Sequence, residues 1–306
     1  MQNFLTVGQQ VLVLFILIMV GFVLGKKKII GDTAAKALSD IALLLATPCV
    51  IILSFNRKFE TAVLKELGIA LLVALVIHIV AIGIAQLLYR KNTSRDRVLR
   101  AATVLSNAGF MGLPLQQAVL GEQGVFYGSA YVTVFTLTLW SYGLITMDSG
   151  SRRLSLRKLL LNPGIIGLGV GILVLFLPVE LPELLRAPAS HLAALNTPIP
   201  MLFIGYSLSK VDLGKALRTP FYYVTSLVRL LVVPTIGIGV LYLIGVRGTL
   251  LVSMAIAGSA PIAAAVSMFS DKYGQDTEAS VNLVALSTVF SVITMPIFVA
   301  LVQSIA

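Results

Sequence analysis

Apolar residues along this chain come in long blocks, separated by short breaks that carry charge, glycine or proline. A helix that crosses the hydrocarbon core of a bilayer needs about 20 mostly apolar residues. Blocks of that size fall at 5–25, 33–55, 62–88, 98–120, 125–146, 163–181, 190–209, 220–245, 249–271 and 277–303. The pattern predicts an all-α integral membrane protein of ten transmembrane helices joined by short connections. Composition sharpens this reading: 58% of the 306 residues are hydrophobic and only 12% are charged, about half the charged share of a soluble domain. A water-soluble globule, a disordered chain and a nucleic-acid binder are excluded. The single cysteine, Cys49, rules out an intramolecular disulfide, and with His78 and His191 far apart it leaves no Cys/His metal cluster.

Charge sets the orientation. No positive residue precedes the first block and no small-residue cleavage site follows it. Lys26, Lys27 and Lys28 come directly after, so it reads as a span and not as a cleaved leader. With the N-terminus outside, alternate loops place 17 of the 23 Lys and Arg residues on the inner side and five outside, with Arg229 inside a span. The positive-inside rule then puts both termini outside the cytoplasmic (inner) membrane. The formal net charge of +10 is read as this topology signal, in preference to a nucleic-acid or anionic-lipid site.

Two halves of five spans each would enter the bilayer from opposite sides. Traces of such a duplication recur near an offset of 150: Thr47-Pro48 with Thr197-Pro198, Pro114 with Pro261, His78 with Arg229, and Thr133–Thr136 with Thr288–Ser291. The expected division is a first five-helix repeat at 1–146, a basic cytoplasmic linker at 147–162 and a second, inverted repeat at 163–306. Inverted repeats are the architecture of many secondary transporters.

Candidate chemistry sits where spans 4 and 9 are interrupted. Span 4 holds Asn107-Ala-Gly109-Phe-Met-Gly112-Leu-Pro114, and span 9 holds Gly258-Ser259-Ala-Pro261. Proline lacks a backbone N–H and clashes with the carbonyl four residues back. Such breaks leave polar backbone and a half-helix N-terminus, a partial positive charge with free N–H donors, at mid-membrane depth. Two breaks at equivalent positions point to a transporter's binding site. Asn107, Ser259, Gly109, Gly112, Pro114 and Pro261 are therefore the central candidates, and Thr47 and Asn196 are placed to line the same cavity. Arg229, deep in span 8, either pairs with a polar interior or adds positive potential to an anion site. His78 is either a proton carrier or a neutral histidine hydrogen-bonded between helices. Asp40 is expected to pair with Lys36 one turn earlier, and with His78 it is the candidate for proton or ion coupling. No phosphate loop, zinc-protease motif or nucleophile elbow occurs, so an enzyme is not expected.

The segment 107–115, Gly258-Ser-Ala-Pro261, and Tyr273-Gly-Gln-Asp276 before a Ser/Thr-rich last span resemble the auxin efflux carrier family, in a compact prokaryotic form. The resemblance covers essentially the whole chain. It implies a fold similar to sodium/proton antiporters, with spans 4 and 9 crossing at their prolines. Spans 1, 2, 6 and 7 would be a scaffold and the rest a moving, elevator-type unit. It also implies an organic-anion substrate (auxin-like, or a dicarboxylate such as malonate or malate) with Asn107 on the carboxylate. His78 stands where plant members have an acid. No cofactor is expected; a proton or sodium is left open as coupling ion, and so is a cation antiporter or symporter of the same fold. The partners are then a small carboxylate and the lipid bilayer, with a homodimer left open. A non-transporting sensor or a channel is the reading from another class.

Overall fold

A computed structural model describes residues 2–56, 61–148, 161, 163–176, 181–211 and 219–306. The linker expected at 147–162 lies almost wholly outside the described residues, with Arg152, Arg153, Arg157 and Lys158. Arg57, Lys58, Lys215 and Arg218 lie outside them too. Among the described residues the regular elements are all helices. In chain order the helices are α1 (Gln2–Lys26), α2 (Asp32–Ile41), α3 (Thr47–Ser54), α4 (Thr61–Leu88), α5 (Ser94–Val104), α6 (Leu113–Thr138), α7 (Leu144–Met147) and α8 (Pro163–Leu175). Then come α9 (Glu183–Ala194), α10 (Pro198–Ser209), α11 (Pro220–Leu227), α12 (Val233–Leu243), α13 (Gly248–Ser259), α14 (Ala265–Lys272) and α15 (Thr277–Ile305). Among the described residues, seven continuous helical stretches are long and apolar enough to cross a bilayer, and α13 and much of α8 are shorter apolar helices. Large apolar side chains such as Leu72, Leu173 and Leu301 face outward, as a lipid-facing surface requires.

Prolines shape several of these helices by a common route. Widened π-turns at Ala42–Ala46, Ala108–Gly112 and Val228–Val232 each precede a proline (Pro48, Pro114 and Pro234) by two residues. The middle residue of each turn (Leu44, Phe110 and Leu230) is the one whose carbonyl the proline ring would strike. Widening the turn relieves the clash without ending the helix. This corrects one expectation. Pro114 does not break span 4; the helix passes through it, and the chain is unwound earlier, at residues 105–107.

α6 is two arms. Gly121 has φ 63° and ψ −151°, a backbone region that is essentially open to glycine alone. The Gln116 side chain lies directly against Gly128, and the Leu113 side chain is 2.9 Å from where a Cβ on Gly128 would sit. A straight helix would separate residues 116 and 128 by about 18 Å. The chain therefore turns back at Gly121, at the junction read from the sequence between the fourth and fifth blocks.

Small residues permit the tightest helix contacts. On α1, Gly21 lies against the backbone of Leu202 and Gly25 against Ser209; on α10, Gly205 faces the backbone of Ile18, Gly21 and Phe22. Between α8 and α3, a Cβ on Gly167 would stand 3.1 Å from Pro48 Cα and one on Gly171 would stand 2.9 Å from the Phe55 ring. In a bilayer, where lipid is as apolar as leucine, helices associate through such close packing.

Candidate functional site

α5 ends at Val104 and α13 at Ser259, and the chain beyond each is extended before helix resumes. These two unwound segments, 105–107 and 260–264, run antiparallel and pair through Ser106 and Ile262. The Asn107 amide donates to the Pro261 carbonyl at 2.7 Å, and the Ala263 amide donates to the Leu105 carbonyl at 2.9 Å. The Ile262 amide donates to the Ser287 hydroxyl of α15 at 3.1 Å. Unwound backbone at this depth survives because it pairs with protein. Pro261 brings no N–H that would need a partner, and its carbonyl goes across the crossing. Gly112 passes α13 with room to spare: a Cβ there would stand 3.6 Å from Ala257 Cα, in ordinary van der Waals contact.

Arg229 reaches the crossing from the π-turn after α11 and is fully buried. Its Nε donates to the Ala260 carbonyl at 3.3 Å, Nη1 to the Thr103 carbonyl at 3.4 Å and Nη2 to the Gly258 carbonyl at 2.5 Å. Those carbonyls belong to the C-terminal ends of α5 and α13. Beside them, the Ser106 hydroxyl donates to the Tyr131 hydroxyl at 3.2 Å, and the Tyr131 ring packs 4.8 Å from that of His78. Nδ1 of His78 bonds the Ala74 carbonyl at 2.8 Å, while its Nε2 is buried with no partner among the described residues.

The other candidates divide as follows. The side chain of Asn107 is buried and makes no hydrogen bond within the described residues, so its carboxamide is uncommitted. A Cβ on Gly109 would meet open space. Ser259 turns back onto its own helix, donating to the Ile256 carbonyl at 3.4 Å, and so does not present its hydroxyl to a ligand here. Thr47 and Asn196 meet: the Thr47 hydroxyl donates to Asn196 Oδ1 at 2.8 Å. Asp40 is exposed and forms no ion pair with Lys36. Both instead line one cavity, where solvation of two flexible side chains outweighs a weak surface pair.

That cavity, about 360 Å³, lies on the Lys36 and Lys210 side and reaches Ala264 in the unwound segment. A second cavity of about 270 Å³ lies between Ser54, Glu122 and Ser190 and reaches Pro114 and Asn196. Each approaches the crossing from its own side, and Asn107, Gly109 and Arg229 line neither.

The sequence profile of the membrane transport protein family matches residues 6–299. The chain belongs to this family, that of the auxin efflux carriers. An uncharacterized transporter of Methanocaldococcus jannaschii is 22% identical over 94% of this chain and 96% of its own length. An uncharacterized transporter of Methanothermobacter thermautotrophicus is 22% identical over 95% and 96%. The protein is thus a multi-pass membrane transporter and not an enzyme.

Two polar clusters of this membrane transport protein escaped the sequence reading. Gln116 is fully buried and donates to both the carbonyl and the hydroxyl of Ser253, at 2.9 and 3.0 Å, while that hydroxyl donates to the Gly124 carbonyl at 3.1 Å. The cluster ties both arms of α6 to α13 just beyond the crossing. Nothing in the spacing of one glutamine and one serine 137 positions apart signals it. Gln116→Leu is expected to cost about 1 kcal/mol, the scale of an interhelical hydrogen bond in a membrane protein. The check is a melting midpoint in detergent a few degrees below wild type. At the basic surface, Lys210 pairs with Asp32, which also accepts from the Tyr206 hydroxyl at 2.9 Å. The Asp32 carboxylate first, and then Tyr206, holds the Lys210 ammonium above the ordinary lysine pKa.

Proposed function

We propose that this protein is a secondary active transporter that moves a small carboxylate across the cytoplasmic membrane by alternating access. The observation that carries the reading is the crossing itself. It combines an uncommitted Asn107 carboxamide with half-helix N-termini, between two cavities that approach from opposite sides. A carboxylate there would take hydrogen bonds from Asn107 and free N–H groups near Gly109, in the positive potential of the helix N-termini. Each helix end contributes on the order of 1 kcal/mol, so a small anion binds modestly and can leave, as a carrier requires.

The same reading takes the chain as ten spans in two inverted repeats, 1–146 and 163–306, with both termini outside. Paired features near the offset of 150 support it. Thr47 of one half bonds Asn196 of the other. Gly21 of α1 packs on α10 and Gly171 of α8 packs on α3, 150 residues apart. α1, α3, α8 and α10 would form the scaffold. The crossing helices would slide past it and carry the substrate from one cavity to the other.

The test is uptake into proteoliposomes of labelled indole acetate, malonate, malate and sodium, with pH and voltage gradients imposed separately. Saturable uptake of one carboxylate is the expected result. Sodium flux with no carboxylate movement would reassign the protein to cation exchange. Conductance far above carrier rates would make it a channel.

A further inference from the structure

The C-terminal end of a helix carries about half a negative elementary charge on its unpaired carbonyls. At the crossing two such ends, those of α5 and α13, converge in the interior of the protein, leaving close to one full negative charge in a place without water. Such a site attracts a cation. Here the cation is covalently attached. Arg229 is 0% exposed and donates to Thr103 of one helix end and to Gly258 and Ala260 of the other. No carboxylate pairs with it among the described residues. Its counter-charge is therefore the backbone itself, and a flat guanidinium with several fixed donors can reach three carbonyls at once where a lysine ammonium would act as a point charge.

We propose that Arg229 is a tethered cation holding the two helix ends at the crossing, and that it closes this position to sodium. A mobile cation would have to displace the guanidinium from the carbonyls that would ligate it. The crossing helices would then stay joined in every state of the protein, whether or not an inorganic cation is present. This goes beyond the carrier reading and can be tested without any substrate.

The experiment is thermal melting of the detergent-purified protein at constant ionic strength in sodium, choline or a non-denaturing level of guanidinium, for wild type, Arg229→Ala and Arg229→Lys. The wild-type midpoint is expected to be the same in sodium and choline. Arg229→Ala is expected to melt about 6 °C lower and to recover part of that loss in guanidinium, and to a smaller extent in sodium, because the vacated carbonyls again bind a free cation. Arg229→Lys is expected to fall between the two and to show no response to sodium. A wild-type midpoint raised by sodium over choline would overturn the proposal, and so would an Arg229→Ala protein that melts like wild type or recovers in neither cation. If Arg229→Ala does not fold, the wild-type and Arg229→Lys comparisons decide: a sodium-dependent midpoint in either one counts against a tethered cation.

Discussion

Gly205→Ala is expected to lower the melting midpoint by about 5 °C or to prevent recovery of folded protein. A methyl group at this position would overlap the Ile18 carbonyl oxygen and stand 2.6 Å from the Phe22 amide nitrogen and 2.9 Å from the Gly21 carbonyl carbon. Those are backbone atoms, which no rotamer change can move, so α1 and α10 would have to part along their whole contact. Overpacking of this kind costs about 3 kcal/mol, and that corresponds to a shift of about 5 °C for a chain of this size. Gly239→Ala on α12 is the control. Nothing lies within 4 Å of a Cβ there, and alanine favours helix over glycine, so its midpoint should not fall. Equal melting of the two variants would mean that α1 and α10 are not in backbone contact.

Asn107→Ala is expected to reduce carboxylate uptake at low substrate concentration by about 10- to 100-fold, the effect of losing one hydrogen bond to a charged group. It should leave the melting midpoint where it was, because the Asn107 side chain makes no hydrogen bond among the described residues; the crossing uses its backbone amide, which alanine keeps. Asn107→Asp should abolish uptake outright, since a carboxylate would face a carboxylate in a site with little water. Wild-type uptake in Asn107→Ala would remove this residue from the binding site. A fall in both uptake and midpoint would instead mark it as a structural residue of the crossing.

Most of the apolar helices were legible in the sequence because a bilayer demands uninterrupted apolar blocks; of the ten expected, seven stretches among the described residues are long and apolar enough to span and two more are shorter apolar helices. The position of the second break was legible through Pro261. The first was not, because Leu105, Ser106 and Asn107 include neither proline nor glycine; they unwind because their hydrogen-bond partners lie across the crossing, in residues 261–263. Pro114 was the visible signal and pointed seven residues too late, since a π-turn absorbs its clash. Arg229 was legible as a buried charge, but its partners are carbonyls, and backbone leaves no mark in a sequence. Gln116 and Ser253 were invisible for a related reason, being two ordinary polar residues made neighbours only by the fold.

The pairing of Ser106 with Ile262 also constrains how the protein comes to be made. The two strands of that bridge are 156 residues apart in the chain. At a synthesis rate near 10 residues per second, the first waits about 15 s for the second to emerge. During that interval the Asn107 amide and the Leu105 carbonyl have no partner, in surroundings where an orphan backbone group costs several kcal/mol. The nascent first half must therefore keep water, or a borrowed partner from the insertion machinery, at this depth until the second half arrives. The crossing is a late event in biogenesis, and a chain truncated before residue 260 is a natural client for membrane quality control.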